Sequence, residues 1–499
     1  MVWQHWQWFA ILLTLLTIST TQTHASQHFF STNPDSDAFF TPIESLEYIT
    51  ETEFTTLRHP FFPKHSARIK KSKFCDGDVD AYTGYIDIEA RHLFFYFFES
   101  RSNPDKDDVI FWTNGGPGGS SSMGLFMELG PCRIVGTKNG PKMEYFKESW
   151  NSNANVFFID QPVGVGFSYA EYGEFVGTTE EAAQDIAAFV AIFFENFNQF
   201  KGRPFHMAGE SYGGRYIPLF AAAVYDQNAA LVEAGLAPVN LSSIMIGNGM
   251  TDYYEMLWAY HDFACTEATL APVLSIETCV QMKRIVERCK KWTKEACLDQ
   301  YDEINCGAAA GWCGDQIQIP FFATGLNPYD YSQECDGKLE DTLCYPVTKH
   351  IGAYLSIPKV REELGVDSHP SIPANFSGIS WDVSAAFAST QDEFHVSTEY
   401  VAALLERGVR ALIYVGTYDW ICNWVGNERW TLGLEWSGRE GFRKEKLREW
   451  VIDGKVAGKT RSFGKLTFAT VDAAGHMVPY DKPKESLELV NRWMASKSL

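Results

Sequence analysis

From Tyr82 onward the chain alternates between short apolar runs and longer stretches with helical spacing. Residues 92–98, 109–112, 156–159, 205–208, 243–246, 410–415 and 466–471 are the runs, and most are nearly continuous in apolar residues. A strand wet on one face alternates apolar with polar, whereas a strand buried on both faces does not need to. The pattern therefore predicts a mostly parallel sheet covered on both sides. Residues 180–200, with Ala182, Ile186, Phe189, Val190 and Phe193 at helical spacing, predict one covering helix. Residues 216–225 predict another, with Pro218 in its first turns.

The residues just past the end of each run carry the chemistry. Trp112 leads into Asn114-Gly115-Gly116-Pro117-Gly118, and Ile159 into Asp160-Gln161-Pro162. Ala208 leads into Gly209-Glu210-Ser211-Tyr212-Gly213, Val415 into Gly416-Thr417-Tyr418-Asp419, and Val471 into Asp472-Ala473-Ala474-Gly475-His476. In open α/β sheets, ligands sit beyond the carboxyl ends of the strands. Glycines and reactive side chains gather at those ends here.

Gly209 to Gly213 reads G-x-S-x-G, the tight strand-to-helix turn that exposes a serine hydroxyl. With 39 glycines in the chain the motif does not identify a site alone. A serine hydroxyl needs a base to take its proton, and the base needs an orienting acid. Asp419 and His476 follow in that order, each just past an apolar run. Singly, Asp419 reads equally as a turn cap and His476 as a buried structural histidine; jointly, in the order Ser…Asp…His, they read as a triad. The glycine run 115–119 lacks the spacing of a phosphate loop. In a hydrolase it suits an oxyanion hole built from the N–H groups of Gly116 and Tyr212.

Charge and cysteine usage narrow the class. Lys and Arg number 42 against 63 Asp and Glu, a formal net charge of −21, which excludes nucleic acid as the partner in the absence of any basic run with interleaved aromatics. Residues 1–25 read as a secretory signal: the apolar run 9–18 is too short to span a bilayer, and Thr23-His24-Ala25 forms a small-residue cleavage site. No later segment reads as a membrane span. Residues 26–72, polar and weakly periodic with the basic cluster Arg68-Ile69-Lys70-Lys71-Ser72-Lys73, read as a cleavable pro-segment or a loosely ordered arm. Sequons at Asn240 and Asn375 mark expected glycosylation sites. Eight of eleven cysteines cluster as Cys265, Cys279, Cys289, Cys297, Cys306, Cys313, Cys335 and Cys344. Without a C-x-x-C pair this is a disulfide framework rather than a metal site, with its pairing left open by the spacing. Cys75, Cys132 and Cys422 are left over. No cofactor and no metal are called for.

Several segments together resemble the serine carboxypeptidases, closest to the carboxypeptidase Y-like branch. They are Trp112-Thr113-Asn114-Gly115-Gly116-Pro117-Gly118, Ile159-Asp160-Gln161-Pro162, Gly209-Glu210-Ser211-Tyr212, Ile246-Gly247-Asn248-Gly249, Asp419-Trp420-Ile421-Cys422-Asn423-Trp424 and Gly475-His476-Met477-Val478-Pro479. The resemblance runs over roughly residues 75 to 495. It implies an α/β-hydrolase fold whose core spans 73–250 and 356–499, with a largely helical, disulfide-rich insertion at 251–355. It implies release of single C-terminal residues from peptides and proteins at acidic pH, in a vacuolar, lysosomal or secreted setting. Ser211, Asp419 and His476 would be the triad, and Gly116 and Tyr212 the oxyanion hole. Trp112, Asn114, Glu128 and Glu210 would hold the substrate's terminal carboxylate. The bridges would be 265–279, 289–313, 297–306 and 335–344, with Cys422 a free thiol near the triad.

The carboxylate site also has an argument of its own. Two neighbouring carboxyls do not both ionise without a large cost, so one keeps a proton and donates it. Glu210 adjoins the nucleophile, and Glu128 interrupts the apolar run 125–129, where an unpaired charge is costly; an exposed helix edge is its bland alternative. Three departures from the family pattern stand out. Gly119 and Ala374 occupy the two positions of a usual bridge, and Gly213-Gly214-Arg215 replaces Ala-Gly-His, placing extra charge near the site. Two competing readings remain. One is an acyltransferase or esterase on the same fold, disfavoured by Glu210 where such relatives commonly carry Asp. The other is a catalytically silent binding protein, disfavoured by the intact triad.

Overall fold

The computed structural model describes residues 40–75 and 77–499; the expected signal at 1–25 lies outside them. Six parallel strands form the middle of a large sheet, in the spatial order Asn155–Ile159, Val109–Thr113, Phe205–Ser211, Leu241–Gly249, Arg410–Gly416 and Leu466–Val471. Antiparallel strands extend both edges. Arg91–Phe98, Ala81–Ile88, His65–Ser72 and Thr55–Leu57 lie on one side, Lys455–Phe463 and Arg448–Ile452 on the other. This is an α/β-hydrolase fold.

The alternation within a strand divides the core. Phe95, Phe97, Phe111 and Phe157 face one layer, packed under helices Thr179–Asn196 and Gly213–Glu233. Phe94, Tyr96, Phe98, Trp112 and Phe158 face the other, where Leu489, Val490 and Trp493 of helix Pro483–Met494 cover them. Because side chains alternate with a period of two, an unbroken aromatic run fills both layers at once. The first covering helix starts where Thr178 caps it, its side chain accepting the Glu181 N–H.

The loose-arm reading fails for the end of segment 26–72. His65–Ser72 pairs along its whole length with Ala81–Ile88. Ala67 and Ile69 are buried while their neighbours are partly exposed, so the basic cluster is the wet face of a strand. The strands 448–452 and 455–463 were equally invisible as apolar runs, for the same reason.

Residues after Thr251 build the insertion from helices Tyr253–Cys265, Ile276–Thr293 and Glu303–Phe322 and the small hairpin Leu326–Asn327 with Asp330–Glu334. Its disulfides are Cys265–Cys279, Cys289–Cys313, Cys297–Cys306 and Cys335–Cys344, the pairing the resemblance implies. Two of the left-over cysteines form a fifth bridge, Cys75–Cys132, and Cys422 is free and buried. The insertion is fastened over the carboxyl ends of the parallel strands by Trp420, whose ring stacks between Phe321 at 3.9 Å and Tyr260 at 4.4 Å.

Candidate active site

Ser211 ends its strand at φ +61°, and the next helix begins at Gly213. A serine held in the left-handed region is strained, and it persists only where its surroundings impose it. The surroundings here leave little choice. A Cβ on Gly209 would stand 2.7 Å from Ile217 Cγ1, and one on Gly115 only 2.3 Å from the backbone N of Tyr212. The glycine loop therefore lies directly against the elbow. Ser211 keeps partial exposure while the strand before it is buried.

His476 Nδ1 is 2.8 Å from Asp419 Oδ2. Asp419 is wholly buried, and its carboxylate also accepts the Asn248 Nδ2–H at 2.7 Å and the Cys422 N–H at 3.3 Å. The loops that carry Asp419 and His476 are both held by the insertion hairpin. The Tyr329 carbonyl accepts the His476 N–H at 2.6 Å, and the Pro328 carbonyl accepts those of Trp420 and Ile421. The Cys422 thiol touches the Ser211 hydroxyl, and its sulfur and the donor atoms of Asp419 and His476 lie within 4.8 Å of one another. Burial, with Asp419 and Glu210 close by, pushes this thiol well above its ordinary range, so it stays neutral.

The N–H groups of Gly116 and Tyr212 find no acceptor among the described residues. Gly116 has φ +122°, a conformation open to glycine.

Glu128 and Glu210 are both buried and lie close enough for each carboxyl to shift the other. Asn114 joins them, its Nδ2 donating to Glu128 Oε1 at 3.1 Å and to Glu210 Oε1 at 3.5 Å. The amide's orientation is fixed from behind, since its Oδ1 accepts Trp112 Nε1–H at 2.8 Å and the Gly124 N–H at 2.9 Å. Trp112 thus acts on Asn114, its own N–H already spent. Burial drives the Glu210 carboxyl far above the usual range, and the neighbouring Glu128 charge adds to it; burial raises Glu128 as well. The pair holds a proton in acid. Glu128 itself sits at the end of a single π-turn, Gly124–Glu128, wholly buried rather than on an exposed edge.

Residues with no assigned role in the sequence support this frame. Asp160 is buried without a cation and accepts Ser120 Oγ–H at 2.6 Å and the Ser121 and Phe167 N–H groups at 3.1 Å each, with burial lifting its carboxyl to about 6. It ties the glycine loop to the turn that carries Glu128. Asp481 accepts the Gly475 N–H at 2.7 Å, next to His476, and burial lifts it to about 7. Asn248, Asp160 and Asp481 all stand in or next to the family-like segments; a polar side chain at the end of an apolar run was their only signal.

The charge of Arg215 does not reach the nucleophile. Its guanidinium is buried against Asp392, 3.3 Å away, and donates to Glu180 at 2.8 Å. At Gly119, backbone pairing ties the glycine loop to the segment after Ala374: Ser120 N–H donates to the Gly378 carbonyl, and Ser380 N–H to that of Gly118, each at 2.9 Å. A cavity of about 400 Å³ opens beside this contact, walled by Met123, Ile351, Phe376, Ile379 and Trp381, with Lys349 at its lining.

Comparison with known proteins shows the family and the fold. The serine carboxypeptidase family profile matches residues 74–496. The vacuolar serine-type carboxypeptidase of Saccharomyces cerevisiae is 38% identical over 448 residues, 89% of this chain and 85% of that protein. Carboxypeptidase Y of Candida albicans is 40% identical over 437 residues, 87% and 77% of the two chains. Among solved structures, a prohormone-processing carboxypeptidase of Saccharomyces cerevisiae superposes with a TM-score of 0.70 at 24% identity, over 87% of this chain and 92% of that one, a likeness of fold.

Proposed function

Since the chain belongs to the serine carboxypeptidase family and acts on peptides as a serine-type carboxypeptidase, we propose that it releases single C-terminal residues in acid through an acyl-enzyme on Ser211. His476 takes the serine proton and returns it to the leaving amine, with Asp419 and Asn248 fixing the ring. The Gly116 and Tyr212 N–H groups take the developing oxyanion, a contribution that preorganised donors make because they need not reorient during reaction.

The observation that carries the exopeptidase reading is the buried Glu128–Glu210 pair one residue from the nucleophile. In acid, the proton that the pair retains turns an otherwise anionic wall into a donor for a terminal carboxylate, with Asn114 holding both carboxyls in place. The relative described as vacuolar, together with the expected signal, supports a secretory or vacuolar destination. A pro-segment within 26–72 and glycans on the exposed Asn240 and Asn375 belong to the same reading.

A blocked dipeptide and its amide, assayed at acidic pH, test it. The free acid should be cleaved with the lower KM, and Ser211→Ala should abolish both reactions while the protein stays folded. Equal KM for acid and amide would favour an esterase or acyltransferase instead.

A further inference from the structure

Taking Ser211 as nucleophile and the Tyr212 N–H as an oxyanion donor, as proposed above, we infer that Asp392 is a positioning residue for the oxyanion hole, holding Tyr212 from behind through its phenol. The N–H at stake belongs to the peptide unit between Ser211 and Tyr212. Its direction follows from ψ of Ser211 and φ of Tyr212. Ser211 sits at φ +61°, a strained conformation. Rotation of that peptide unit is the most direct way to relax the strain, and it would swing the N–H out of line. Something must hold Tyr212 at its helical φ −59°, ψ −12°.

The helix behind supplies part of the restraint, since the Tyr212 carbonyl accepts the N–H groups of Arg215 at 2.9 Å and Tyr216 at 3.1 Å. The rings of Tyr216 and Phe387, 5.1 and 6.1 Å away, fill space on two sides of the phenol. Ring packing alone does not fix the phenol along its own axis. The Tyr212 hydroxyl does so by donating to Asp392 Oδ2 at 2.6 Å.

Asp392 is itself immobile. It is buried and accepts the Thr179 N–H at 2.9 Å, the Thr179 hydroxyl at 2.7 Å and the Arg215 guanidinium at 3.3 and 3.4 Å. Thr179 is the first residue of the 18-residue helix Thr179–Asn196, whose exposed amides favour a negative charge. Glu180 closes the network by accepting from Arg215. The buried Asp392 thus has a guanidinium, a backbone amide and two hydroxyls around it, so its own anchoring does not depend on solvent. Arg215, where the family usually has His, is thereby part of the anchor for the hole.

The test compares an inhibitor that forms an oxyanion with one that does not. A blocked peptide aldehyde adds to Ser211 as a hemiacetal and places its oxygen in the hole; a blocked amino acid binds without one. Tyr212→Phe removes only the phenol oxygen and leaves Asp392 paired with Arg215. It should lower kcat and aldehyde affinity by about tenfold, short of the ~10²–10³ expected for losing a donor outright. KM and blocked-amino-acid affinity should hold within about twofold. Asp392→Asn should do the same, and the double variant should fall no further than the worse single, because both act through one contact. Thermal stability that drops while the ratio of the two affinities stays at the wild-type value would overturn the proposal and leave Asp392 a structural anchor. If Asp392→Asn fails to fold, Tyr212→Phe decides alone. A wild-type enzyme indifferent to the aldehyde would sink the serine-hydrolase reading itself, whereas a sensitive wild type with unshifted variants sinks only the role of Asp392.

Discussion

Glu210 and Glu128 meet across a single amide, Asn114 donating one N–H to each carboxyl at 3.5 and 3.1 Å. The first lies on the turn of the nucleophile and the second on a π-turn 82 residues earlier. Burial and mutual repulsion raise the Glu210 carboxyl most, so the pair remains protonated in acid and ionises as the pH rises. For a substrate bearing its own carboxylate, KM should climb from acidic toward neutral pH; for the amide it should climb less. Glu128→Gln with Glu210→Gln keeps neutral donors and should flatten the profile for the free acid. KM against pH on both proteins checks this, and an unchanged slope in the double variant would remove the pair from substrate recognition.

Asn248 gives the Asp419 carboxylate its 2.7 Å donor and receives the Gly416 N–H through its own Oδ1. Asn248→Ala should lower kcat roughly tenfold or more with little change in KM, the signature of support lost by a catalytic group rather than by the substrate. Asn248→Asp should be worse, since it sets a second negative charge against Asp419 and favours protonated His476. Its acid limb of kcat against pH should therefore move upward.

Cys422 is the only unpaired cysteine among the described residues and touches the Ser211 hydroxyl. A mercurial should inhibit, and Cys422→Ser should resist. Because burial keeps the thiol neutral, iodoacetamide should react slowly below about pH 8, where a free thiol of ordinary acidity already has a measurable thiolate fraction. Equal mercurial inhibition of both proteins would place the reactive group elsewhere, and Cys75 and Cys132 are excluded because they form a disulfide.

The two glycines bounding the elbow should respond differently. A Cβ on Gly209 would meet Ile217 Cγ1 at 2.7 Å and the Thr113 carbonyl at 3.1 Å, whereas one on Gly213 meets only the Thr113 carbonyl, at an ordinary 3.5 Å. Gly213→Ala, at the start of a helix, should preserve activity and add up to about 0.5–1 kcal/mol of stability. Gly209→Ala should cost both activity and stability. Thermal melts and kcat on the pair check the distinction.

Stability should fall as pH rises from mildly acidic to neutral. Burial lifts Asp481 to about 7 and Asp160 to about 6, while in the unfolded chain such groups titrate near ~4. The folded protein therefore keeps protons that the unfolded chain releases across that window, and each such group removes up to about 1.4 kcal/mol per pH unit. His59, lowered by burial to about 4, works in the opposite sense below ~6.5. Asp481→Asn can still accept the Gly475 N–H without a titrating proton. It should melt at a less pH-dependent temperature than wild type between about pH 4 and 7, and parallel curves would show that Asp481 does not contribute.

The sequence by itself determined the buried sheet, the serine elbow and the order Ser211, Asp419, His476 past the strand ends. A strand covered on both faces must be apolar throughout, and groups that serve one site must follow the carboxyl ends of such strands. Those constraints act locally and leave their mark in consecutive residues. The outer antiparallel strands His65–Ser72 and Lys455–Phe463 obey a weaker rule, one face wet, so a run such as Arg68-Ile69-Lys70-Lys71 reads as an arm until its partner strand is known. Tertiary structure alone decided which distant polar groups meet. Asp392 stands 180 residues from Tyr212 and Asn248 171 residues from Asp419. Cys75 finds Cys132, and Arg215 turns its charge away from the nucleophile onto Asp392. A hydrogen bond between buried groups depends on where the backbone carries both ends, and no single stretch of chain encodes that position.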